Sequence, residues 1–97
     1  MKIILHPLAE EDLDESIRYY VNIDKNLKNK FLKELDYTFN QIKDNPNLYP
    51  LVTKHSHKKV MQKFPYIIYY TTYDNNINIL AIFHTSRNPN ILNKRLS

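Results

Sequence analysis

The N-terminal half of the chain carries apolar residues at the spacing of two amphipathic helices. The first stripe consists of Leu13, Ile17, Tyr20 and Val21. The second consists of Leu27, Phe31, Leu35, Phe39 and Ile42. These stripes predict helices over residues 8–22 and 25–44, with Asp24 as the N-cap of the second. Two such helices separated by a short break form an antiparallel hairpin, and the hairpin needs a surface to cover its apolar face.

Elsewhere the apolar pattern has the period of two that is typical of strands. The predicted strands are residues 2–6, 58–64, 66–73 and 77–84. Residues 45–57 are predicted as a loop, and residues 74–76 (Asp-Asn-Asn) as a hairpin turn, since Asn tolerates positive φ. Residues 88–97 have the pattern of a short terminal helix. In the last strand, alternation places Ala81 on the same face as Ile79, and His84 on the other face.

The resulting element order is β-α-α-β-β-β. It predicts an α+β fold in which the N-terminal helical hairpin packs on one face of a small, mostly antiparallel sheet. The chain has 97 residues. A chain of this length has too little material for a second core, so residues 1–97 are expected to form a single domain.

Composition removes several classes of protein. Cys is absent, so disulfides, thiolate metal sites and thiol nucleophiles are excluded. Gly is also absent, which excludes phosphate-binding loops and dinucleotide fingerprints. The start of the chain does not look like a signal peptide, and no apolar run is long enough to span a membrane. We therefore expect a cytoplasmic protein without a membrane segment, a metal or a cofactor.

Charge is distributed unevenly along the chain. Residues 50–97 contain seven Lys or Arg and a single acid, Asp74, for a net charge of +6, whereas the whole chain has a net charge of +4. An excess of one sign attracts partners of the other sign. The C-terminal half is therefore expected to meet nucleic acid, an acidic protein or both, although solubility alone also accounts for such a bias.

Three segments resemble the RelE/ParE family of toxins from type II toxin–antitoxin systems. Ala9-Glu10, Asp12-Leu13 and Tyr19-Tyr20 are similar to the start of these toxins. Residues 64–70 (Phe-Pro-Tyr-Ile-Ile-Tyr-Tyr) resemble their central strand. Residues 84–89 (His-Thr-Ser-Arg-Asn-Pro), with Arg95 beyond them, resemble their C-terminal end. The resemblance covers nearly the whole chain, and the predicted element order agrees with it.

The resemblance implies a growth-inhibiting toxin that is neutralised by a cognate antitoxin protein. A homodimer and a toxin–antitoxin hetero-oligomer are the two assemblies expected. ParE-like members act on DNA gyrase, whereas RelE-like members cut mRNA on the ribosome. The Phe-Pro-Tyr strand and the C-terminal motif look more like the ParE-like branch. The alternatives are a RelE-like, metal-independent endoribonuclease and a degenerate, non-enzymatic module that only binds antitoxin.

Candidate site residues follow from the chemistry of each alternative. A nuclease needs a proton carrier and phosphate ligands, for which His84 and Arg87 are the candidates. The residues expected to contact a target or antitoxin are Lys58, Lys59, Lys63, Arg87 and Arg95. Members of the family commonly carry an Arg pair before the Phe-Pro-Tyr strand, but residues 55–59 here are His-Ser-His-Lys-Lys. Lys does not reproduce the bidentate fork of Arg, which argues against nuclease activity. An ion pair is the alternative role for Arg87, and a turn-organising hydrogen bond the alternative for His84.

Overall fold

The computed structural model describes residues 1–96 of the chain. Its elements are β1 (Lys2–Leu5), α1 (Pro7–Ile23), α2 (Lys25–Asp44), β2 (His57–Val60), β3 (Tyr66–Tyr73), β4 (Asn76–His84) and α3 (Pro89–Leu96). The α+β class and the order of elements are confirmed. Of the predicted terminal helix, residue 97 lies outside the described residues.

Local side chains explain where the helical hairpin begins and turns. The His6 Nδ1 accepts a hydrogen bond from the Leu8 N–H at 3.1 Å, and Pro7 occupies the first turn of α1, where its missing N–H costs nothing. Asp24 caps α2, accepting a hydrogen bond from the Asn26 N–H at 2.9 Å. The predicted N-cap is therefore confirmed, and Asp24 alone separates the two helices, which pack against each other.

The four strands form one sheet in the order β1-β4-β3-β2. β1 runs parallel to β4, whereas both other pairs are antiparallel. Asp74 and Asn75 join β3 to β4 with φ angles of 51° and 61°. Two successive positive φ angles are those of a type I′ hairpin turn, which confirms the predicted turn at residues 74 and 75. Asn76, which was predicted to belong to the turn, is the first residue of β4.

The main core lies between the helical hairpin and one face of the sheet. Phe31, Leu35 and Ile42 of α2 are buried there, as the apolar stripe predicts. The buried face of α1 differs from the prediction, because Val21 is exposed while the polar Asp12 and Ser16 are buried. The Ser16 hydroxyl donates to the Asp12 carbonyl at 2.9 Å, but the Asp12 carboxylate needs partners from outside its helix.

A β-bulge changes which residues of β4 face the helical hairpin. Tyr69 pairs with Ala81 and Tyr70 with Ile79, so that Leu80 is the extra residue. Ala81 consequently packs on the opposite face from Ile79, and the prediction of uninterrupted alternation is wrong beyond this point. The bulge places His84 on the face that carries Tyr66 and the helices.

The second face of the sheet is covered in part by α3. Its Leu92 is buried against Tyr69, Ala81 and Phe83. The helical hairpin thus lies on one face, as predicted, while the terminal helix occupies the other face and makes the fold three layers deep at this end. Among residues 1–96, no helix is both long and apolar enough to cross a membrane.

The Phe-Pro-Tyr motif closes one end of the core. The predicted strand over residues 58–64 is shorter in the structure and ends at Val60, since the chain must turn before Pro65. Phe64 makes edge contacts with Tyr20 and Phe31, each with ring centroids 5.3 Å apart. The motif therefore fixes the loop between β2 and β3 to the helical hairpin.

Candidate functional site

The buried carboxylate of Asp12 joins three distant parts of the chain. Its Oδ2 accepts a hydrogen bond from the Ile82 N–H of β4 at 3.0 Å. Arg95 of α3 donates from Nη1 to Oδ2 at 2.6 Å and from Nη2 to Oδ1 at 2.8 Å. Arg87, in the loop after β4, donates from Nη1 to Oδ1 at 3.0 Å. We call Asp12, Arg87 and Arg95 the Asp12 cluster.

Burial and charge make the Asp12 cluster a strong tie. The Asp12 side chain is 3% exposed, that of Arg95 12% and that of Arg87 30%. The two-pronged Arg95 pair is the geometry in which Arg binds a carboxylate best, and it raises the pKa of Arg95 above its ordinary value, although burial opposes the shift. The Arg87 guanidinium also lies 4.6 Å from the Phe83 ring centroid. Both guanidinium groups are thus already engaged within the chain.

A cavity of about 440 Å³ opens beside the Asp12 cluster, between α1 and the end of β4. His84 lines it together with Tyr19, Tyr66 and Arg87. The His84 Nδ1 accepts a hydrogen bond from the Ser86 N–H at 3.1 Å and lies 2.7 Å from the Ser86 hydroxyl oxygen. Ser86 therefore holds the Nδ1 edge of His84 within the chain.

The remaining predicted contact residues lie on or after β2, away from Asp12. Lys58 pairs with Tyr69 and Lys59 with Ile68, so the two side chains lie on opposite faces of the sheet. The Lys59 ammonium lies 4.9 Å from the centroid of the Tyr49 ring. Lys63 lines a separate cleft against α2. The structure therefore distributes the predicted contact residues over several places and does not gather them into one patch.

Sequence reasoning named one side of the Asp12 cluster and missed the other. Arg87 and Arg95 were predicted as contact residues, whereas Asp12 was named only within the segment that resembles the start of the family. Seventy or more residues separate Asp12 from its partners. The one available signal was the position of Asp12 in the apolar repeat, four residues before Ser16 and eight before Tyr20.

His57 has a structural contact that the sequence did not indicate. Its ring stacks on that of Tyr70 with centroids 5.1 Å apart, and its Nδ1 lies 2.8 Å from the Tyr49 carbonyl oxygen. The Tyr70 hydroxyl donates to the Pro46 carbonyl at 2.6 Å, and burial raises the pKa of Tyr70 to about 12. These contacts hold the loop between α2 and β2 onto the sheet.

Comparison with solved structures places this fold beside those of two bacterial toxins. The chromosomal ParDE toxin–antitoxin system from P. aeruginosa contains a chain that superimposes with a TM-score of 0.76 at 17% identity, covering 89% of this chain and 97% of that one. The YoeB dimer from Staphylococcus aureus gives a TM-score of 0.60 at 22% identity, covering 87% of this chain and 95% of that one. At these identities the likeness concerns the fold.

Sequence comparison identifies the family. Toxin ParE2 of Mycobacterium tuberculosis (strain CDC 1551 / Oshkosh) is 32% identical over 101 residues, which cover 99% of this chain and 92% of the relative. Residues 3–89 match the family described as the ParE toxin of type II toxin–antitoxin systems, parDE. The matched span includes Asp12, the Phe-Pro-Tyr strand and Arg87. The chain belongs to the ParE toxin family of type II toxin–antitoxin systems.

Proposed function

We propose that this toxin inhibits growth by binding DNA gyrase through protein–protein contacts, without cutting nucleic acid. The state of the two C-terminal arginines is the observation that carries the proposal. Arg87 and Arg95 already share the Asp12 carboxylate. Arg95 would have to leave a buried carboxylate before it could hold a phosphate with its fork, and breaking such a buried pair costs roughly 3–5 kcal/mol. Arg87 keeps one Nη on the same carboxylate, which restricts the directions in which its remaining N–H groups can donate.

The other candidate catalytic residues also support a binding role. The segment before Phe64 offers lysines where an arginine pair is usual, and a lysine binds phosphate only as a point charge. The Nδ1 of His84 is engaged by Ser86, so this nitrogen is not free to act as the general base that attack by a 2′-hydroxyl requires. Gyrase works on DNA in the cytoplasm, and this action therefore goes with a cytoplasmic location.

The direct test is a supercoiling reaction with purified gyrase, relaxed plasmid and increasing amounts of the toxin. We expect inhibition at stoichiometric toxin, and relief when the toxin is first mixed with its antitoxin. A heat-unfolded sample of the same toxin serves as a control for its basic charge. Unchanged supercoiling in the presence of excess folded toxin would contradict the proposal.

A ribosome-dependent endoribonuclease is the second candidate. The cavity beside the Asp12 cluster favours it, because His84 and Arg87 both line this space of about 440 Å³. Primer extension on mRNA from cells expressing the toxin tests this candidate, with cuts at a fixed codon position as the expected signature. Intact transcripts during growth arrest would eliminate it.

Membership of the family implies an antitoxin partner, and a third candidate is a chain that has kept only this interaction. The pairing of Arg87 and Arg95 with Asp12 is compatible with such a degenerate toxin. Expression without antitoxin separates the candidates, because a degenerate toxin leaves growth unchanged. Light scattering on the purified chain and on its complex with antitoxin would distinguish a monomer, a homodimer and a hetero-oligomer.

A further inference from the structure

A second cleft lies between α2 and the loop that joins β2 to β3. Its volume is about 740 Å³, and it shares no lining residue with the cavity beside the Asp12 cluster. Its lining includes Lys30, Lys33, Glu34, Tyr37, Lys63 and Phe64. We call it the lysine cleft. The three lysines are exposed, whereas Glu34 is buried.

Glu34 is the unusual residue of the lysine cleft. It is only 9% exposed, and its carboxylate has neither a hydrogen bond nor an ion pair with any of residues 1–96. The Lys30 ammonium, one helical turn earlier, is also more than 4.0 Å from the Glu34 carboxylate, too far for an ion pair. No fully buried side-chain oxygen in the described chain lacks a partner, so the Glu34 carboxylate must keep its contact with solvent through the cleft.

The Glu34 side chain is largely buried, while its carboxylate faces solvent through the cleft and has no partner in the described chain, so it can accept hydrogen bonds from a ligand that enters there. The walls of the cleft narrow the choice, because Tyr37 and Phe64 supply aromatic rings. The Phe64 ring is held in place by edge contacts with two core rings, so this wall is rigid. A guanidinium group fits both features, since its planar fork binds carboxylates bidentately and stacks on aromatic faces.

The three lysines of the cleft restrict which residues can flank the guanidinium group on the partner. Alone, a cation would be repelled by Lys30, Lys33 and Lys63, whereas acidic neighbours of the cation would pair with them. We propose that the lysine cleft binds an arginine side chain of a protein partner, on a segment in which acidic residues flank that arginine. The proposal uses the family only for the existence of a protein partner and does not depend on gyrase.

The test is an NMR titration of the ¹⁵N-labelled toxin with two synthetic peptides. One is acetyl-Glu-Ser-Arg-Ser-Glu-amide, and the other carries citrulline, a neutral isostere, in place of arginine. We expect the arginine peptide to shift amide signals in α2 and in the loop between β2 and β3. The citrulline peptide should bind at least about tenfold more weakly, because it loses the charged pair.

Two variants of α2 make the test specific. Glu34→Gln keeps the shape of the side chain and should weaken the arginine peptide at least about tenfold. Asp36→Asn makes the same change of charge at an exposed position outside the cleft and should leave the affinity within about twofold. Equal affinity of Glu34→Gln and the parent protein, or of the two peptides, would overturn the proposal.

If the cleft binds nucleic acid instead, Glu34→Gln should have the opposite effect and strengthen binding of the ligand. A short oligouridylate would then bind Glu34→Gln more tightly than the parent, since the repelling carboxylate is gone, and the arginine peptide would bind neither protein. This result would also overturn the proposal.

A second variant, Tyr37→Leu, keeps the test decisive if Glu34→Gln does not fold. Tyr37 is 52% exposed, so its replacement should leave the fold intact. It should weaken the arginine peptide by about threefold through loss of the stacking contact, and an unchanged affinity would count against the proposal. None of these measurements involves gyrase. A negative result would therefore contradict the arginine site without bearing on the proposed action on gyrase.

Discussion

At the scale of single residues, the carboxylate of Asp12 has the largest structural consequence. It receives hydrogen bonds from a strand backbone and from two arginines while being 3% exposed. Asp12→Asn keeps the size of the side chain but removes the carboxylate that pairs directly with two guanidinium groups. We expect the free energy of unfolding to fall by about 3 kcal/mol, measured by urea denaturation.

A neighbouring acid provides the control for Asp12→Asn. Asp14 lies on the same helix, is exposed and carries the same charge. Asp14→Asn should change the free energy of unfolding by less than about 0.5 kcal/mol, as is usual for surface substitutions. If both variants lose the same amount of stability, the Asp12 cluster is not the tie that its geometry indicates.

Tyr70 gives a prediction that depends on pH. Its hydroxyl donates to the Pro46 carbonyl, and burial raises its pKa from 10.0 to about 12. The folded state thus favours the neutral phenol, and this contribution is complete below pH 10 and is lost as pH rises through 12. Below pH 10, Tyr70→Phe should be less stable than the parent by about 1 kcal/mol.

Above pH 10 the difference between Tyr70→Phe and the parent should shrink and then reverse, because only the parent loses stability through this hydroxyl. Urea denaturation of both proteins on either side of pH 10 measures the change, and tyrosines common to the two proteins cancel. Tyr73→Phe, at a residue that is 76% exposed, is the control. A constant difference across the range would show that the Tyr70 hydroxyl does not resist ionisation.

At the scale of elements, the β3–β4 hairpin turns without a glycine. Asn75 has a φ of 61°, a region that Asn tolerates and Gly prefers. Asp-Gly is among the favoured pairs for a type I′ turn. Asn75→Gly should therefore raise the free energy of unfolding by about 0.5 kcal/mol in urea denaturation. Asn76→Gly, one residue later in β4, should lower it, and a gain there in place of the gain at Asn75 would contradict the turn assignment.

The terminal helix should open more easily than the sheet. α3 has eight residues and buries only Leu92, and besides this contact Arg95 ties it to Asp12. Short elements with few buried side chains exchange their amide hydrogens by local opening. Native-state hydrogen exchange should give α3 a lower opening free energy than β4. Equal values for the two elements would mean that α3 unfolds only with the whole domain.

The elements that could be predicted are those whose apolar pattern has a single period. The helix of α2 and the turn at Asp74 and Asn75 could be predicted for this reason. The bulge in β4 could not, because Leu80 fits a strand equally well whether or not the side chains after it switch to the other face of the sheet. That bulge in turn decides where His84 lies, so half of the candidate site could not be located from the sequence. The partnership of Asp12 with Arg87 and Arg95 depends on tertiary contacts that no local pattern encodes.

At the scale of the whole molecule, the basic C-terminal half is not one surface. Its two ordered arginines neutralise an acid from the N-terminal helix, while the lysines of β2 remain on an edge strand. Lysine on an edge strand also discourages pairing with other chains, so these charges have a structural use besides any contact with a partner. The charge available to an acidic partner is thereby shifted from the end of β4 towards β2 and the lysine cleft.

This shift of available charge leads to a test of Lys58 and Lys59 as contact residues. The double variant Lys58→Glu, Lys59→Glu should abolish growth arrest on expression without antitoxin, because it reverses the charge of β2. Its control, Lys25→Glu, Lys43→Glu, lowers the net charge equally at two exposed positions of α2 and should still arrest growth. Urea denaturation must show both proteins folded, since the contact of Lys59 with Tyr49 contributes up to about 1 kcal/mol. If the two variants arrest growth equally, the toxin does not engage its target through β2; if both fail, net charge rather than position governs the encounter.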